Sequence, residues 1–237
     1  MEQWSRENLD RLAQATSADE VFEAALHASR ALGFEYCAYG ARLPVPLSRQ
    51  RTFARNNYPE GWQHRYEEAG YLAQDPTVLH GLAHGTPVTW NDAVFEKAPL
   101  LWEEAQSFGL KVGWAQSLFG QQGTRGMLTL ARSGEQIQPA ELDAKEASMS
   151  CLANATHQAF SRVLAADLAG LPEQPLTPRQ VDILKWSADG KTSSEIAEIL
   201  GISINTVNFH VKNALVQLNA PNKMAAVVRA AMLGLLN

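Results

Sequence analysis

Between Leu176 and Leu218 apolar residues recur every third or fourth position in three successive runs, and a helix-capping signal opens each one. Thr177-Pro178-Arg179-Gln180 can cap and start the first, in which Val181, Leu184 and Ala188 follow at helical spacing. Thr192-Ser193-Ser194-Glu195 is a second capping box, followed by Ile196, Ala197, Ile199 and Leu200 until Gly201 ends the run. Ser203 suits the cap of the third, whose apolar face is Val207, Val211, Ala214, Leu215 and Leu218. Its opposite face offers Asn205, Thr206, Asn208, His210, Lys212 and Asn213. Two short helices around a tight Gly201-Ile202-Ser203 turn, the second presenting amides, hydroxyls and a basic group from its first turns, make a helix-turn-helix for reading base edges. Any small helical hairpin also has a polar outer face, so periodicity alone leaves both readings open.

Upstream the spacing changes. Ser17-Ala18-Asp19-Glu20 opens a helix with Val21, Ala25, Ala28 and Leu32 on one side, ended by Gly33. Residues 35–42 then alternate as a strand does, and Pro44 and Pro46 end it. Further strands are expected at 51–56, 87–89, 112–118 and 126–131, with helices near 60–69, 76–84 and 100–108 between them. From Pro139 a long helix carries Leu142, Met149, Leu152, Ala155, Ala159, Val163 and Leu168 as an apolar stripe, fit for packing on its own sheet or for dimerisation. The expected fold class is therefore α+β. An N-terminal α/β/α sandwich with an antiparallel sheet of about five strands fills 1–168; a Gly- and Pro-bearing linker spans 169–175; an all-α helix-turn-helix domain occupies 176–237.

A chain of 237 residues, 46% of them apolar, can furnish two cores. Its net charge of −5 argues against nucleic acid until it is placed along the chain: residues 176–237 hold six Lys and Arg against four Asp and Glu, a net +2, which leaves −7 for the rest. So small a basic excess implies that DNA affinity needs two copies of the domain. Cys37 and Cys151 are far apart and show no metal or redox spacing, which favours a reduced, cytoplasmic setting. The N-terminus has no basic start with an apolar core, and no apolar run reaches about 18 residues, so neither export nor membrane insertion is expected. His80 and His84 have zinc-helix spacing, but Gly81 stands where a metalloprotease needs Glu. With no nucleophile elbow, phosphate loop or zinc-spaced cysteines, the expectation is a non-enzyme with no catalytic residue, no metal and no cofactor.

Between Tyr58 and Trp102 the chain concentrates aromatic residues with polar ends: Tyr58, Trp62, Tyr66, Tyr71, Trp90 and Trp102. Such residues supply both the walls and the polar groups of a small-molecule pocket, and Trp62 and Tyr66 share a face if 59–69 is helical. An ordinary aromatic core explains any one of them equally well.

Gly190-Lys191-Thr192, Glu195-Ile196-Ala197, Ile202-Ser203, Thr206-Val207, Phe209-His210 and Asn222-Lys223 resemble the C-terminal domain of the LuxR-type quorum-sensing transcription regulators. Tyr58-Pro59, Trp62, Tyr66, Asp75-Pro76, Trp90 and Gly113 resemble that family's acyl-homoserine lactone pocket, so the likeness spans nearly the whole chain. It implies that Trp62 donates to the lactone carbonyl, Asp75 accepts from the ligand amide, Tyr58 and Thr129 donate to the acyl carbonyl, and Tyr66 and Trp90 pack on the ligand. Leu43, Val78, Ala115, Leu118 and Met127 are candidates for the chain-lining wall, and Gln63 stands where some relatives use Arg. Asn208 and Lys212 fall at base-reading positions, Thr206 and Lys191 at backbone-contacting ones. Gln180 departs from the family's usual Glu, keeping the capping geometry without the charge. The implied protein is a homodimeric regulator that binds an N-acyl-homoserine lactone and a palindromic promoter element, with RNA polymerase as a further partner. The alternative is an orphan receptor of the same fold that answers another small signal or acts without one. A phosphorylation-controlled response regulator lacks its acidic cluster here, and an enzyme or carrier for acyl signals lacks visible machinery.

Because an unpaired carboxylate inside an apolar pocket is costly, Asp75 is expected to need the ligand amide as its partner, leaving the empty pocket unstable.

Overall fold

Alternation along the first strand, β1 (Tyr36–Arg42), sets the plan of the N-terminal unit: Cys37, Tyr39 and Ala41 are buried, while Tyr36, Ala38 and Gly40 point to the other face. A computed structural model describes residues 2–42, 52–120, 124–164 and 175–236, and the chain splits into a sheet-based unit and a helical one. The remaining strands are β2 (Thr52–Asn56), β3 (Val88–Thr89), β4 (Val112–Phe119) and β5 (Arg125–Arg132). All pair antiparallel, as expected from the sequence, and their order in the sheet is β2-β1-β5-β4-β3. Helices α1 (Glu2–Gln14), α2 (Ala18–Ala31) and α7 (Pro139–Val163) cover the Tyr39 face. Across the sheet lie α3 (Glu60–Glu68), α4 (Pro76–Ala83), α5 (Asp92–Phe95) and α6 (Pro99–Ser107), with a 3-10 turn at Tyr71–Ala73.

The Tyr39 face is scaffold. Tyr39 stacks on Phe160 with centroids 4.3 Å apart, and its hydroxyl lies 2.7 Å from His157 Nδ1. Burial lowers the His157 pKa, so the ring stays neutral and can share a proton with the phenol. Any side chain at Gly126 would run into these two groups, which is why β5 carries glycine there. The stripe of α7 is used within the domain: Met149, Leu152, Ala153, Ala159 and Phe160 are buried. Leu118 pairs with Gly126 and therefore faces this side, which removes it from the expected chain-lining wall. Leu43 and the 169–174 part of the expected linker lie outside the described residues.

Three elements escaped the sequence reading: α1, the single turn α5, and a fourth C-terminal helix. In that domain α8 (Pro178–Ala188), α9 (Ser193–Leu200) and α10 (Ile204–Gln217) are followed by α11 (Lys223–Met232), capped by Asn222. Leu184, Ala214, Leu218, Ala226 and Ala230 form one core; Ile183, Ile196, Ala197 and Val207 form a second. The buried side of α8 is Gln180, Ile183 and Leu184, a shift from the expected Val181 and Ala188. Arg229 donates to the Leu218 and Asn219 carbonyls at 2.6 and 2.7 Å, closing the α10 C-terminus that Asn219 ends in a left-handed turn.

In the first turn of α7, Glu141 takes a bidentate pair from Arg132 at 2.8 Å per bond and a third bond from Lys145, also 2.8 Å. Arg132 first, then Lys145, holds the Glu141 carboxyl down at about 2 from its ordinary 4.5. A depressed folded pKa stabilises above the unfolded value and loses that contribution as pH falls through the folded one. Glu141→Gln should therefore cost about 2 kcal/mol at neutral pH, discounted for partial exposure. Its unfolding free energy should converge with the wild type between pH 4.5 and about 2. Urea titrations across that range check this, and a gap unchanged by pH would show that the ion pair contributes nothing.

Candidate functional site

On the sheet face away from α7, the chain places small residues where a pocket needs a floor. Register puts Ala38, Thr129 and Ala115 in one row, and Tyr36, Ala131 and Gly113 in the next. Over the second row Trp62, Tyr71, Phe95, Leu101, Leu110 and Ala131 form one cluster, with Tyr58, Tyr66, Trp90, Trp102 and Phe108 packed against it. The i, i+4 pair Trp62 and Tyr66 meets edge to face at 5.6 Å, and Trp62 also contacts Tyr71 at 6.0 Å and Phe108 at 5.8 Å. Trp90 lies directly on Gly113, where any Cβ would penetrate the indole, and it packs edge-on to Phe95 and Trp102. Its indole N–H is buried without an acceptor among the described residues.

All six expected ligand residues thus belong to this side: Tyr58, Trp62, Tyr66 and Trp90 in the aromatic cluster, Asp75 bonded to it, and Thr129 on the floor. Asp75 Oδ2 accepts from the Tyr66 hydroxyl at 2.9 Å, while Oδ1 accepts from the Thr77 backbone N–H at 2.8 Å and hydroxyl at 2.7 Å, capping α4. This corrects the expectation that the carboxylate needs a ligand for a partner: its geometry is satisfied within the chain. Burial, reinforced by the nearby Asp75 charge, raises the pKa of both Tyr58 and Tyr66, so both remain neutral O–H donors. Cys37, on the opposite face of β1, has its thiol pushed up to about 12 by burial and stays protonated.

Long-range polar ties fix this arrangement. Asn57 joins the Tyr58 segment to β1 by accepting from the Cys37 N–H at 2.7 Å and donating to the Glu35 carbonyl at 2.9 Å. Gln63 donates to the Tyr58 carbonyl at 2.7 Å, so its observed contact is a backbone brace. Arg65 binds Glu104 through two bonds of 2.7 and 2.8 Å, and the Tyr71 hydroxyl donates to the same carboxylate at 2.7 Å. Glu104, Phe95 and Phe108 were missed in the sequence; partners 39 residues apart leave no local signal. A separate groove of about 500 Å³ between α1 and α2 is lined by Arg11, Glu20, Glu23, His27 and Arg30. None of the expected ligand residues borders it, and its charges of both signs do not suit an acyl chain.

In the helical unit the capping boxes are as expected: Thr177 with Gln180, and Thr192 with Glu195. Gln180 is buried and accepts from the Thr177 N–H at 2.7 Å, performing the cap without a charge. Gly201 turns at φ 63°, and Ser203 Oγ accepts from the Thr206 N–H at 3.0 Å to start α10. Asn208 and Lys212 are exposed on α10; Thr206 is half-buried, its hydroxyl 2.8 Å from Ser203 Oγ. Lys191 is half-buried at the α8–α9 turn, close enough to lower the pKa of Glu195, whose main cause is bonding to Thr192. His80 Nε2 donates to the Thr86 carbonyl at 3.0 Å, and among the described residues no three His, Cys, Asp or Glu gather as metal ligands.

These two sites define a small-molecule sensor unit and a helix-turn-helix unit in one chain. Residues 17–160 match the autoinducer binding domain family, and residues 174–230 match the bacterial regulatory proteins of the luxR family. A transcriptional activator protein, AnoR of Acinetobacter nosocomialis, is 42% identical with full coverage of both chains. The crystal structure of Escherichia coli SdiA superposes with a TM-score of 0.86 at 35% identity, covering 99% of this chain and 98% of that one. A structure of SdiA in complex with octanoyl-rac-glycerol gives 0.83 at 36% identity, covering 99% and 96%. The chain belongs to the LuxR family of transcription regulators, which are not enzymes. It is an autoinducer-binding, ligand-responsive quorum-sensing regulator with a DNA-binding domain. Among the described residues no helix is long and apolar enough to cross a membrane.

Asp75→Ala should destabilise the ligand-free protein by about 2–3 kcal/mol, since it removes an N-cap and strands the Tyr66 hydroxyl. Asp75→Asn, whose amide oxygen can keep the cap and whose NH2 can donate to the Tyr66 oxygen, should lose less than half as much. Urea unfolding without ligand measures the two; wild-type stability in Asp75→Ala would show that the cap and the Tyr66 bond carry no weight.

Proposed function

We propose that the N-terminal domain, residues 1–168, binds an N-acyl-homoserine lactone, and that the C-terminal domain, 176–237, binds DNA as one half of a homodimer. Residues 169–175 are the linker. The observation that carries the ligand half is the meeting of Tyr66 and Asp75 inside an aromatic cluster above a floor of small residues. A carboxylate has about four lone-pair sites, and the chain itself uses three at Asp75, leaving one on Oδ2 for an amide N–H. On this reading Trp62 donates to the lactone carbonyl, and Tyr58 with Thr129 donates to the acyl carbonyl. Tyr66 and Trp90 pack on the ligand, while Val78, Ala115 and Met127 border the chain. The protein works in the cytoplasm on a palindromic promoter element and contacts RNA polymerase there.

A second reading has one observation in its favour: a relative, SdiA, is solved with octanoyl-rac-glycerol, which has an acyl chain but no lactone ring or amide. An orphan receptor of this fold could take such a signal, its hydroxyl using the remaining Asp75 lone pair. Melting curves with lactones from short to long acyl chains, and with octanoyl glycerol, separate the two. A fitting ligand at one hundred times its dissociation constant should add about 2.7 kcal/mol of stability and raise the melting temperature and soluble yield. A response to octanoyl glycerol alone would favour the second reading; identical melting with every compound would overturn both.

For DNA, two copies of α10 set about 34–36 Å apart would read the halves of an inverted repeat. Asn208 and Lys212 supply base contacts worth about 1–3 kcal/mol of discrimination each, whereas Lys191 and Thr206 hold the backbone. Lys191→Ala should weaken all sites alike and reduce the salt dependence, while Asn208→Ala and Lys212→Ala should relax preference at single positions. Titrations on a matched site and its single-base variants test this; relaxed preference in Lys191→Ala alone would reverse the assignment.

A further inference from the structure

We propose that Phe209 is a sequence-reading residue whose ring covers the 5-methyl group of a thymine in each half-site. The proposal rests on α10 as the helix that enters the major groove. Val207, Ala214 and Leu218 mark the buried side of that helix. At 3.6 residues per turn Phe209 falls roughly 200° from Val207, at the middle of the outward face. Asn205 and Lys212 precede and follow it by about one turn along the helix, and both are exposed. The ring is 61% exposed, and its one aromatic neighbour among the described residues is His210, edge-on at 5.6 Å.

A large apolar side chain in the centre of a polar and basic face needs a partner that suits both. Another protein's apolar surface would cover the ring but would also bury the amides of Asn205 and Asn208 and the Lys212 ammonium without partners. The major groove supplies what each group lacks: base-edge and phosphate acceptors for the amides and the ammonium, and the thymine methyl as its apolar feature. Other exposed apolar residues of α10 do not compete for this role. Ile204 lies about 60° from Val207, toward the core side, and Val216 lies seven residues on, about 10 Å further along the axis than Phe209. Groove contacts come from the first turns of a recognition helix, which excludes Val216. Because Phe209 and Lys212 are i, i+3 neighbours, about 5–6 Å apart at Cβ, the thymine should lie within one or two base pairs of the base that Lys212 reads.

The experiment uses the full chain with a stabilising lactone. A preferred site is selected from random duplex DNA, and each thymine is then replaced singly by deoxyuridine, which removes only the methyl. Wild type should lose about fourfold in affinity at one position per half-site, the worth of one buried methyl-sized group. Phe209→Ala should bind the thymine site more weakly yet treat thymine and deoxyuridine alike there, with an unchanged melting temperature. Indifference of wild type to deoxyuridine at every position, or retention of the fourfold ratio in Phe209→Ala, would overturn the assignment. If wild type selects no sequence, the DNA-reading proposal falls and this one with it; if it selects a site that Asn208→Ala and Lys212→Ala relax but deoxyuridine does not disturb, only the Phe209 assignment falls.

Discussion

The Asp75 carboxylate is shared between the cap of α4 and the Tyr66 hydroxyl of α3. Pulling these helices apart would leave the Tyr66 phenol unpaired in a partly buried site, at about 1–3 kcal/mol. The aromatic cluster on this side of the sheet continues from this joint. Tyr66 positions Trp62 edge-on, Trp62 reaches Tyr71 and Phe108, and Tyr71 closes on the Arg65–Glu104 pair. A ligand amide that takes the last lone pair of Asp75 would join an existing network, so its effect is to tighten an arrangement already present and not to create one.

The two faces of the sheet divide the labour of the domain. Toward α7, Tyr39, Phe160 and His157 are locked by stacking and one short hydrogen bond, and Gly126 is small because those groups leave no room. Toward α3 to α6, Gly113 is glycine for a different reason: it admits the Trp90 indole, with Ala131, Ala38 and Ala115 as its small neighbours on that face. One strand serves both ends because its side chains alternate. A scaffold face and an aromatic face therefore share a single backbone.

How much of this was legible in the sequence follows from the range of each signal. The longer strands and the first three helices of the C-terminal domain announce themselves through period-2 or period-3.6 spacing and Ser or Thr caps. The α1 segment, EQWSRENLDRLAQ, is mostly polar, so its helix shows no stripe; buried Leu12 and the Arg162 bonds to the Leu12 and Ala15 carbonyls hold it from far along the chain. The α11 helix was missed although Asn222 caps it, because the core it closes joins residues from α8 and α10. Alternation also cannot tell which face is which, so Leu118 was assigned to the wrong wall until register with Gly126 placed it. Asp75 could be picked out, yet its partners could not, since a carboxylate in an aromatic segment looks the same whether a ligand or Tyr66 and Thr77 satisfies it.

The helix-turn-helix unit carries only +2, and its outward face is built largely of neutral amides and an aromatic ring. Counterion release by so few cations gives weak binding from one copy, because each phosphate neutralised contributes roughly one unit of salt slope. On the proposed reading, discrimination and affinity are separated in this chain: α10 would supply the first, and pairing of two copies most of the second. Control by a small molecule then does not require any movement of α10 within its own domain. A ligand that raises the population of folded, pairing-competent N-terminal domain raises the local concentration of the second DNA-binding unit beside the first, and linked binding of two half-sites gains far more than either alone. The absence of strong charge on the DNA-binding unit is what makes such control effective, since a highly basic monomer would occupy DNA whether or not the signal was present.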